Sequence, residues 1–194
     1  MEPVRFGVIG CGLMGREFAS VSMRWLHLAA DLPRPVIVAA CDLSDANLGW
    51  FRQVPDTKYF YHDYQELLQN PEVEAVYCAV PHHLHAKVYG DVIRAGKHLL
   101  GEKPFGMDLA ACGEIQRAMA GRPEVFVRCA SEFPYYPAVQ QMVKWYREGA
   151  FGQIIEARFA IKHSSDLDLT KPINWKRMRA IKRLEVVEAF RKSG

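Results

Sequence analysis

The run VRFGVIGCGLMG, residues 4–15, decides the fold of this 194-residue chain. The apolar stretch Val4–Ile9 leads into Gly10, Gly12 and Gly15, and then into a segment that can be helical. In such a GxGxxG turn the first glycine permits a tight bend, the second lets a pyrophosphate approach the backbone, and the third lets the helix pack on the strand. The pattern predicts a dinucleotide bound by Gly10, Cys11, Gly12, Leu13, Met14 and Gly15. A tight turn without a ligand is the alternative that this motif alone leaves open.

A second apolar run, rich in β-branched residues, covers residues 36–41 and ends at Asp42. Such a run predicts a buried parallel strand. In dinucleotide-binding folds an acid at this place accepts hydrogen bonds from the adenosine ribose hydroxyls. Its negative charge also repels a 2′-phosphate, so Asp42 favours NAD over NADP as the cofactor. The alternative is that Asp42 is a loop carboxylate that caps the following helix.

Strand and helix patterns alternate over the first two thirds of the chain. This alternation predicts an α/β fold, a doubly wound parallel Rossmann sheet with right-handed crossovers. The predicted strands cover residues 4–9, 36–41, 58–61, 75–79, 98–100 and 125–129. The predicted helices cover residues 15–30, 45–54, 63–69, 84–95 and 109–120. Ligands of such sheets bind outside the carboxyl ends of the strands, so functional residues should follow the strands.

The pattern changes near residues 131–137, where we place a domain boundary. Residues 1–131 are predicted to form the dinucleotide-binding domain and residues 132–194 to belong to a second domain. An amphipathic helix is predicted over residues 138–148. A partly alternating segment predicts a further strand over residues 153–163.

The composition is that of an ordinary globular protein, with 49% hydrophobic and 24% charged residues. No apolar leader follows basic residues at the N-terminus, and no run approaches the roughly 20 apolar residues of a membrane span. The five cysteines form no CxxC pair. We therefore predict no metal site, no disulfide framework, no membrane partner and a cytoplasmic location.

The net charge of +3 is unevenly placed along the chain. Residues 171–194 contain eight Lys or Arg and two Glu, whereas the preceding part is mildly acidic. Such a tail could contact nucleic acid or another acidic surface. No basic patch interleaved with aromatic residues and no nucleic-acid motif accompanies it, so we predict a solvated terminal helix and no nucleic-acid partner.

Two more turns follow the fourth and fifth predicted strands: AVPHHLHA at residues 79–86 and GEKPFG at residues 101–106. Together with GCGLMG, they resemble in order and spacing the glucose–fructose oxidoreductase / inositol dehydrogenase (Gfo/Idh/MocA) family. The resemblance continues through FPYYP to the GAFGQI turn at residues 149–154 and fades after about Arg177. It implies a Rossmann domain followed by an α+β domain that forms the substrate wall and often the dimer interface.

The resemblance implies an oxidoreductase that moves a hydride between the nicotinamide and a carbinol carbon of a sugar, inositol or related polyol. Lys103 occupies the position of the family's active-site lysine, in the Glu-Lys-Pro turn, and Lys103 and Pro104 of this turn are also expected among the cofactor-binding residues. Glu102 either fixes this loop or contacts the nicotinamide ribose. Pro81 and His85 are expected to frame the nicotinamide side of the cofactor.

The chain departs from the family beyond Arg177. Family members are nearly twice as long and carry a Gly-Asp-x-Gly-x-His-like stretch with two further catalytic residues, whereas residues 178–194 contain no histidine. We therefore expect a truncated second domain, with homo-oligomerisation through its sheet. Two functions stay open: an oxidoreductase by family, and a dinucleotide-binding regulatory or scaffold protein without turnover.

Overall fold

The computed structural model describes residues 2–25, 31–158, 160 and 170. Among these residues, six strands form one parallel sheet. The strands are β1 (Val4–Ile9), β2 (Pro35–Cys41), β3 (Tyr59–Tyr61), β4 (Ala75–Cys78), β5 (His98–Glu102) and β6 (Val127–Ala130). Their order across the sheet is β3-β2-β1-β4-β5-β6, which confirms the predicted doubly wound α/β fold.

Helices connect the consecutive strands of this sheet. They are α1 (Leu13–Ser22), α2 (Asp45–Phe51), α3 (Tyr64–Gln69), α4 (His85–Arg94) and α5 (Leu109–Ala120). Three of them begin at a side chain that accepts a hydrogen bond from an N–H of the first turn: Ser44 for α2, Asp63 for α3 and Asp108 for α5. Such caps satisfy donors that have no partner inside the helix. Helix α1 begins at Gly12 and has no side-chain cap.

The core lies on both faces of the sheet, because successive side chains of a strand point to opposite faces. On β4, Val76 packs in a cluster with Ile93 and Leu99, whereas its neighbour Tyr77 packs on the other face in a cluster with Phe51. All four residues of β4 are buried. A parallel strand covered on both faces has no polar side, which explains its continuous apolar sequence.

The strand order reverses beside β1, which pairs with β2 on one side and with β4 on the other. The crossovers from β1 therefore run in one direction across the sheet and the later ones in the other. In open α/β sheets this reversal leaves a crevice outside the carboxyl ends of the central strands, where ligands bind. The turns after β1, β2, β4 and β5 all lie at this edge of the sheet.

Strand β5 is longer than predicted and includes Glu102, one of the candidate site residues. We predicted an end at Leu100, but the strand continues through Gly101, which pairs with Cys78 on β4 and Cys129 on β6. Pairing therefore extends the strand two residues beyond the apolar pattern, since Glu102 also pairs with Ala130 on β6. Glu102 is therefore the last residue of the strand and not the first residue of the turn.

The first helix also differs from its predicted bounds of residues 15–30. It begins two residues earlier, at Leu13, and ends at Ser22. The Ser22 hydroxyl donates to the carbonyl of Ala19 at 2.8 Å. The N–H of Arg24 donates to the carbonyl of Val21, three residues back, instead of four as in an α-helix. Local side-chain bonds of this kind compete with helix continuation. Residues 26–30 lie outside the described residues.

The described residues divide into two compact units between Ala130 and Ser131. The second unit, from Ser131, contains a short 3₁₀ turn (Phe133–Tyr135) and helix α6 (Pro137–Arg147), close to the predicted helix. The strand predicted over residues 153–163 is wrong for residues 153–158 and 160, which form no strand. A strand needs a neighbour for its backbone groups, and the described part of this unit offers none. Residues 159 and 161–163 lie outside the described residues.

None of the helices described here is long and apolar enough to cross a membrane.

Candidate functional site

Gly10 makes the sharp bend that ends β1. Its φ of +92° is a backbone conformation that L side chains rarely adopt. A Cβ at this position would lie 2.6 Å from the carbonyl oxygen of Ala79, the residue that follows β4. The first glycine of the motif is therefore required both by its dihedral angle and by close contact with the β4–α4 turn.

The other two glycines of the motif serve different needs. A Cβ at Gly15 would collide with the carbonyl oxygen of Gly10, so the third glycine lets α1 pack against the turn. A Cβ at Gly12 would meet nothing within 4 Å. Packing within the described chain does not explain Gly12, whereas an external group that approaches the backbone does.

The first turn of α1 offers free hydrogen-bond donors beside this open space. Helix α1 has neither a capping side chain nor an acidic residue in its first turn. The first N–H groups of a helix have no partner inside it, and together with the positive end of the helix dipole they favour an anion. Leu13 and Met14, at the start of this turn, are exposed. The arrangement fits a pyrophosphate, as the motif predicts.

Asp42 ties the glycine-rich turn to the end of β2. Its Oδ2 accepts a hydrogen bond from the Cys11 N–H at 2.7 Å and one from the side-chain amide of Asn47 at 3.2 Å. Its Oδ1 accepts from the N–H of Ser44 at 2.8 Å. A carboxylate has about four acceptor positions, so about one remains, on Oδ1. Asp42 can hold the turn and still accept a hydrogen bond from a hydroxyl group of a ligand.

Arg16 is a residue near this carboxylate that the sequence analysis missed. Its guanidinium donates to the Asn47 side-chain oxygen at 3.1 Å and lies 5.3 Å from the centre of the Trp50 ring. Asn47 in turn donates to Asp42, so a cation lies two hydrogen bonds from the acid that is expected to select the cofactor. The available signal was its position directly after Gly15, on the helix that faces the end of β2.

Glu102 closes the other end of the site and is buried. Its Oε1 accepts from the Tyr77 hydroxyl at 2.8 Å, and its Oε2 accepts from the Lys103 N–H at 3.1 Å. Its backbone carbonyl accepts from the Tyr89 hydroxyl at 2.7 Å. Burial first, and then the Glu102 carboxylate, raise the pKa of Tyr77, which keeps the donating hydroxyl protonated. Of the two roles considered for Glu102, these contacts support fixing the loop.

Lys103 follows β5 and is exposed at the edge of the sheet. Its own N–H is bonded to Glu102, and the Lys103–Pro104 peptide bond is cis. In the described part of the chain its ammonium group forms no ion pair. The hydrogen bond to Glu102 thus holds the backbone N–H of Lys103, while its side chain stays available to a ligand.

His85 is fully buried at the start of α4, between the two turns that carry Pro81 and Pro104. Its Nδ1 lies 2.7 Å from the Pro104 carbonyl oxygen, and its Nε2 lies 3.0 Å from the Val80 carbonyl oxygen. Burial, which outweighs these two carbonyls, lowers the pKa of His85. Pro81 is exposed on the same turn. Both ring nitrogen atoms contact backbone carbonyl oxygens, and the ring is fully buried. His85 therefore lies beneath the surface at which a cofactor could bind and does not line the crevice.

The predicted site residues therefore form two groups at one edge of the sheet. The first group follows β1 and β2 and consists of the glycine-rich turn and Asp42. The second follows β4 and β5 and consists of Pro81, His85, Glu102, Lys103 and Pro104. The closeness of the Gly10 and Ala79 backbones brings the two groups side by side. An extended ligand with a phosphate centre and two different ends fits this arrangement.

The sheet and its turns match a known family. Residues 4–128 match the Gfo/Idh/MocA family model, which describes an oxidoreductase family with an NAD-binding Rossmann fold. The match covers more than half of the chain. This protein therefore belongs to the Gfo/Idh/MocA oxidoreductase family.

Individual relatives agree with this membership. The levoglucosan dehydrogenase of Pseudarthrobacter phenanthrenivorans is 28% identical over 191 residues, which are 93% of this chain and 46% of that protein. The solved structure of a levoglucosan dehydrogenase in complex with NADH and L-sorbose matches with a TM-score of 0.81 at 21% identity, over 94% of this chain and 49% of that one. An oxidoreductase of Desulfitobacterium hafniense described as NADPH-dependent matches with a TM-score of 0.67 at 20% identity, over 79% of this chain and 42% of that one.

At these identities the likeness to the solved structures shows the fold alone. The chain spans about half the length of the curated relatives that it matches. Both nicotinamide cofactors are named among the similar structures, so the choice between them depends on the residues of this chain.

Proposed function

We propose that this chain binds NAD(H) and serves hydride transfer between the nicotinamide and a carbinol carbon of a sugar, inositol or related polyol. The observation that carries the proposal is the pair of residue groups at one sheet edge: a glycine-rich turn with an open second glycine, and an anchored loop that presents Lys103. The family supplies the reaction class, and the named relatives supply the substrate class.

In this proposal the cofactor, when bound, supplies the carbon that accepts or gives the hydride. The residues of the chain do the remaining work. The first turn of α1 binds the pyrophosphate through its N–H groups. Oδ1 of Asp42 accepts a hydrogen bond from a hydroxyl of the adenosine ribose. Glu102 holds the loop through the N–H of Lys103.

Lys103 is proposed as the catalytic residue that handles the hydroxyl proton of the substrate. When a carbinol is oxidised, its carbon loses a hydride and its hydroxyl loses a proton. A neutral amine at Lys103 can take that proton, and the resulting ammonium can return it in the reverse direction. In the charged form the same group stabilises negative charge on the substrate oxygen.

We propose NAD(H) in preference to NADP(H), because the remaining acceptor position of Asp42 suits a hydroxyl and not a phosphate. The self-association predicted through a C-terminal sheet stays a prediction, since the described part of the second unit contains no strand. The cytoplasmic location also stays a prediction. The free thiols of Cys11, Cys41 and Cys78, all buried, are compatible with a reducing compartment.

A second candidate function is a dinucleotide-binding regulatory protein without turnover. It is favoured by one observation: residues 178–194 contain no histidine, whereas the family motif expected there ends in one. This alternative shares the cofactor site and differs only in the absence of catalysis.

The test combines NADH binding with turnover of levoglucosan, L-sorbose and inositol by the whole chain. We expect Lys103→Met to lower turnover at least ~10²-fold, the size of an acid–base contribution, and to leave the dissociation constant of NADH within about threefold. The matched control is Lys58→Met, because Lys58 is an exposed lysine on the same unit that only pairs with Glu72 at the surface. Near-normal turnover in Lys103→Met would contradict the assigned role. Tight NADH binding with no turnover of any substrate would support the regulatory alternative.

A further inference from the structure

The turns after β4 and β5 are joined by one buried side chain. His85 places Nδ1 2.7 Å from the carbonyl oxygen of Pro104, in the β5–α5 turn, and Nε2 3.0 Å from the carbonyl oxygen of Val80, in the β4–α4 turn. A neutral imidazole has one N–H, and we assign it to Nδ1 because that contact is shorter. In the neutral ring the bond to Pro104 is therefore the donated one, and Nε2 donates to the carbonyl oxygen of Val80 only when the ring is protonated.

A second residue of α4 holds the same loop from the other side of Lys103. Tyr89 lies one helical turn beyond His85, its ring stacks on the imidazole at 4.6 Å, and its hydroxyl donates to the carbonyl oxygen of Glu102 at 2.7 Å. The carbonyls of the residues before and after Lys103 are thus both bound by α4. Exposed loops usually retain freedom at such positions.

We propose that His85 is a positioning residue for Lys103, acting through its hydrogen bond to Pro104 and not by contact with the cofactor. The proposal rests on the proposed function, because it assumes that Lys103 and Pro81 face the nicotinamide end of a bound dinucleotide. The buried ring fixes the spacing of the two turns that form this end. The glycine-rich turn and Asp42 have their own bonds and do not depend on His85.

This division predicts that loss of the His85 bond affects only one end of the ligand. NADH occupies both ends of the site, whereas ADP-ribose carries the adenosine, the pyrophosphate and one ribose but no nicotinamide. Loss of the bond changes the spacing of both turns, and not the place of the Lys103 side chain alone, so a positioning role weakens binding of NADH and leaves ADP-ribose unchanged. A general loss of fold stability weakens both ligands together.

The variants separate the two nitrogen contacts of His85. The amide of His85→Asn can donate from about the place of Nδ1, and that of His85→Gln from about the place of Nε2. Only the first can keep the bond to Pro104. His85→Phe removes both ring nitrogen atoms while keeping a ring against Tyr89, and His83→Gln is the control, because His83 is an exposed histidine of the same turn.

The experiment measures the dissociation constants of NADH and ADP-ribose by calorimetry for the intact chain and each variant, after circular dichroism has shown that each is folded. We expect His85→Gln and His85→Phe to bind NADH roughly tenfold more weakly, the effect of one hydrogen bond, with ADP-ribose unchanged. We expect His85→Asn and His83→Gln to stay close to the wild type for both ligands. If His85→Phe does not fold, the comparison of Asn with Gln carries the test.

Two results would overturn the inference: equal weakening of both ligands in His85→Gln, or no weakening of either. A wild-type chain that binds neither NADH nor ADP-ribose would instead overturn the proposed function, and that failure would be visible before any His85 variant is compared.

Discussion

Asp42 has a structural and a binding role at the same time. Its carboxylate accepts hydrogen bonds from the N–H groups of Cys11 and Ser44 and from the side-chain amide of Asn47. These bonds join the glycine-rich turn to the start of α2. A bond from a charged group to a backbone donor is worth about 1.5 kcal/mol or more. Replacing Asp42 by alanine would therefore change both the fold of the turn and the cofactor site, so a milder substitution is needed.

We predict that Asp42→Asn lowers the preference for NADH over NADPH at least about tenfold. The amide keeps one acceptor oxygen for the turn but removes the charge that repels a 2′-phosphate, while the guanidinium of Arg16 stays bonded to the neighbouring Asn47. The measurement is a pair of fluorescence titrations, with the exposed Asp45→Asn as the control. A wild-type chain that prefers NADPH, or an unchanged ratio in Asp42→Asn, would show that this acid does not select the cofactor.

Burial of His85 should make the free energy of unfolding depend on pH. Burial lowers its pKa in the folded chain. Above the ordinary value of about 6.5 the ring is neutral in both the folded and the unfolded state, so protonation of His85 does not reduce the free energy of unfolding. As the pH falls below that value, the unfolded chain binds a proton that the folded chain refuses, and the free energy of unfolding decreases. Urea denaturation between about pH 8 and about pH 5 should show a steeper decrease for the wild type than for His85→Asn. Equal slopes would contradict the lowered pKa.

The β1–α1 turn is the element whose behaviour follows most directly from its geometry. We predict that Gly10→Ala destabilises the fold by about 1–3 kcal/mol, because the φ of +92° is unfavourable for alanine and the new Cβ would meet the Ala79 carbonyl. Gly12→Ala, where nothing lies within 4 Å, should change stability by less than about 0.5 kcal/mol. Thermal and urea unfolding of the two variants provide the comparison. The same loss of stability in both would mean that Gly12 is needed for packing.

At the scale of elements, local sequence patterns were enough to predict the six strands and the five helices between them. Apolar runs, glycine turns and capping residues such as Ser44 and Asp63 act over a few neighbouring residues. Apart from the first helix, the predicted bounds of these elements agree with the structure to within three residues. The early end of α1 and the two-residue extension of β5 depend on interactions that the local pattern does not contain: a serine hydroxyl bond in α1 and pairing with neighbouring strands in β5.

The site was predictable to the extent that it consists of turns after strands. The positions of Asp42 and Lys103 at the edge follow from the parallel order of the strands. The links between distant segments were not predictable. Arg16 reaches Asn47 across 31 residues of sequence, and His85 reaches Pro104 across 19. Such contacts depend on how two turns meet in space, which a single sequence does not state.

At the scale of the whole molecule, the two units differ in how much they bury. The unit before Ser131 contains both hydrophobic clusters, whereas none of the described residues from 131 to 158 is buried. Large apolar side chains of α6 such as Trp145 and Tyr146 remain exposed. Segments with few buried contacts open at low free energy.

We therefore predict that trypsin cuts at Lys144, Arg147 or Arg158 before it cuts within the first unit, which stays intact. Arg34 and Lys58 are also exposed, but they adjoin strands of the buried sheet, so cleavage there should be slow. Mass spectrometry identifies the fragments, and the trimmed product should still bind NADH. Early cleavage at Arg34, or loss of NADH binding on trimming, would show that the first unit does not stand by itself.

An NADH titration of the intact chain beside its Gly12→Val variant tests whether the open space at Gly12 and the first turn of α1 receive a dinucleotide. We expect one saturable site per chain in the wild type. We also expect that Gly12→Val, whose Cβ would have no atom of the described chain within 4 Å, loses this binding while the variant stays folded, with an unfolding temperature lowered by no more than the small cost of valine at a helix N-cap. No saturable binding by the wild type, or equal affinity in the variant, would show that this turn does not bind a dinucleotide.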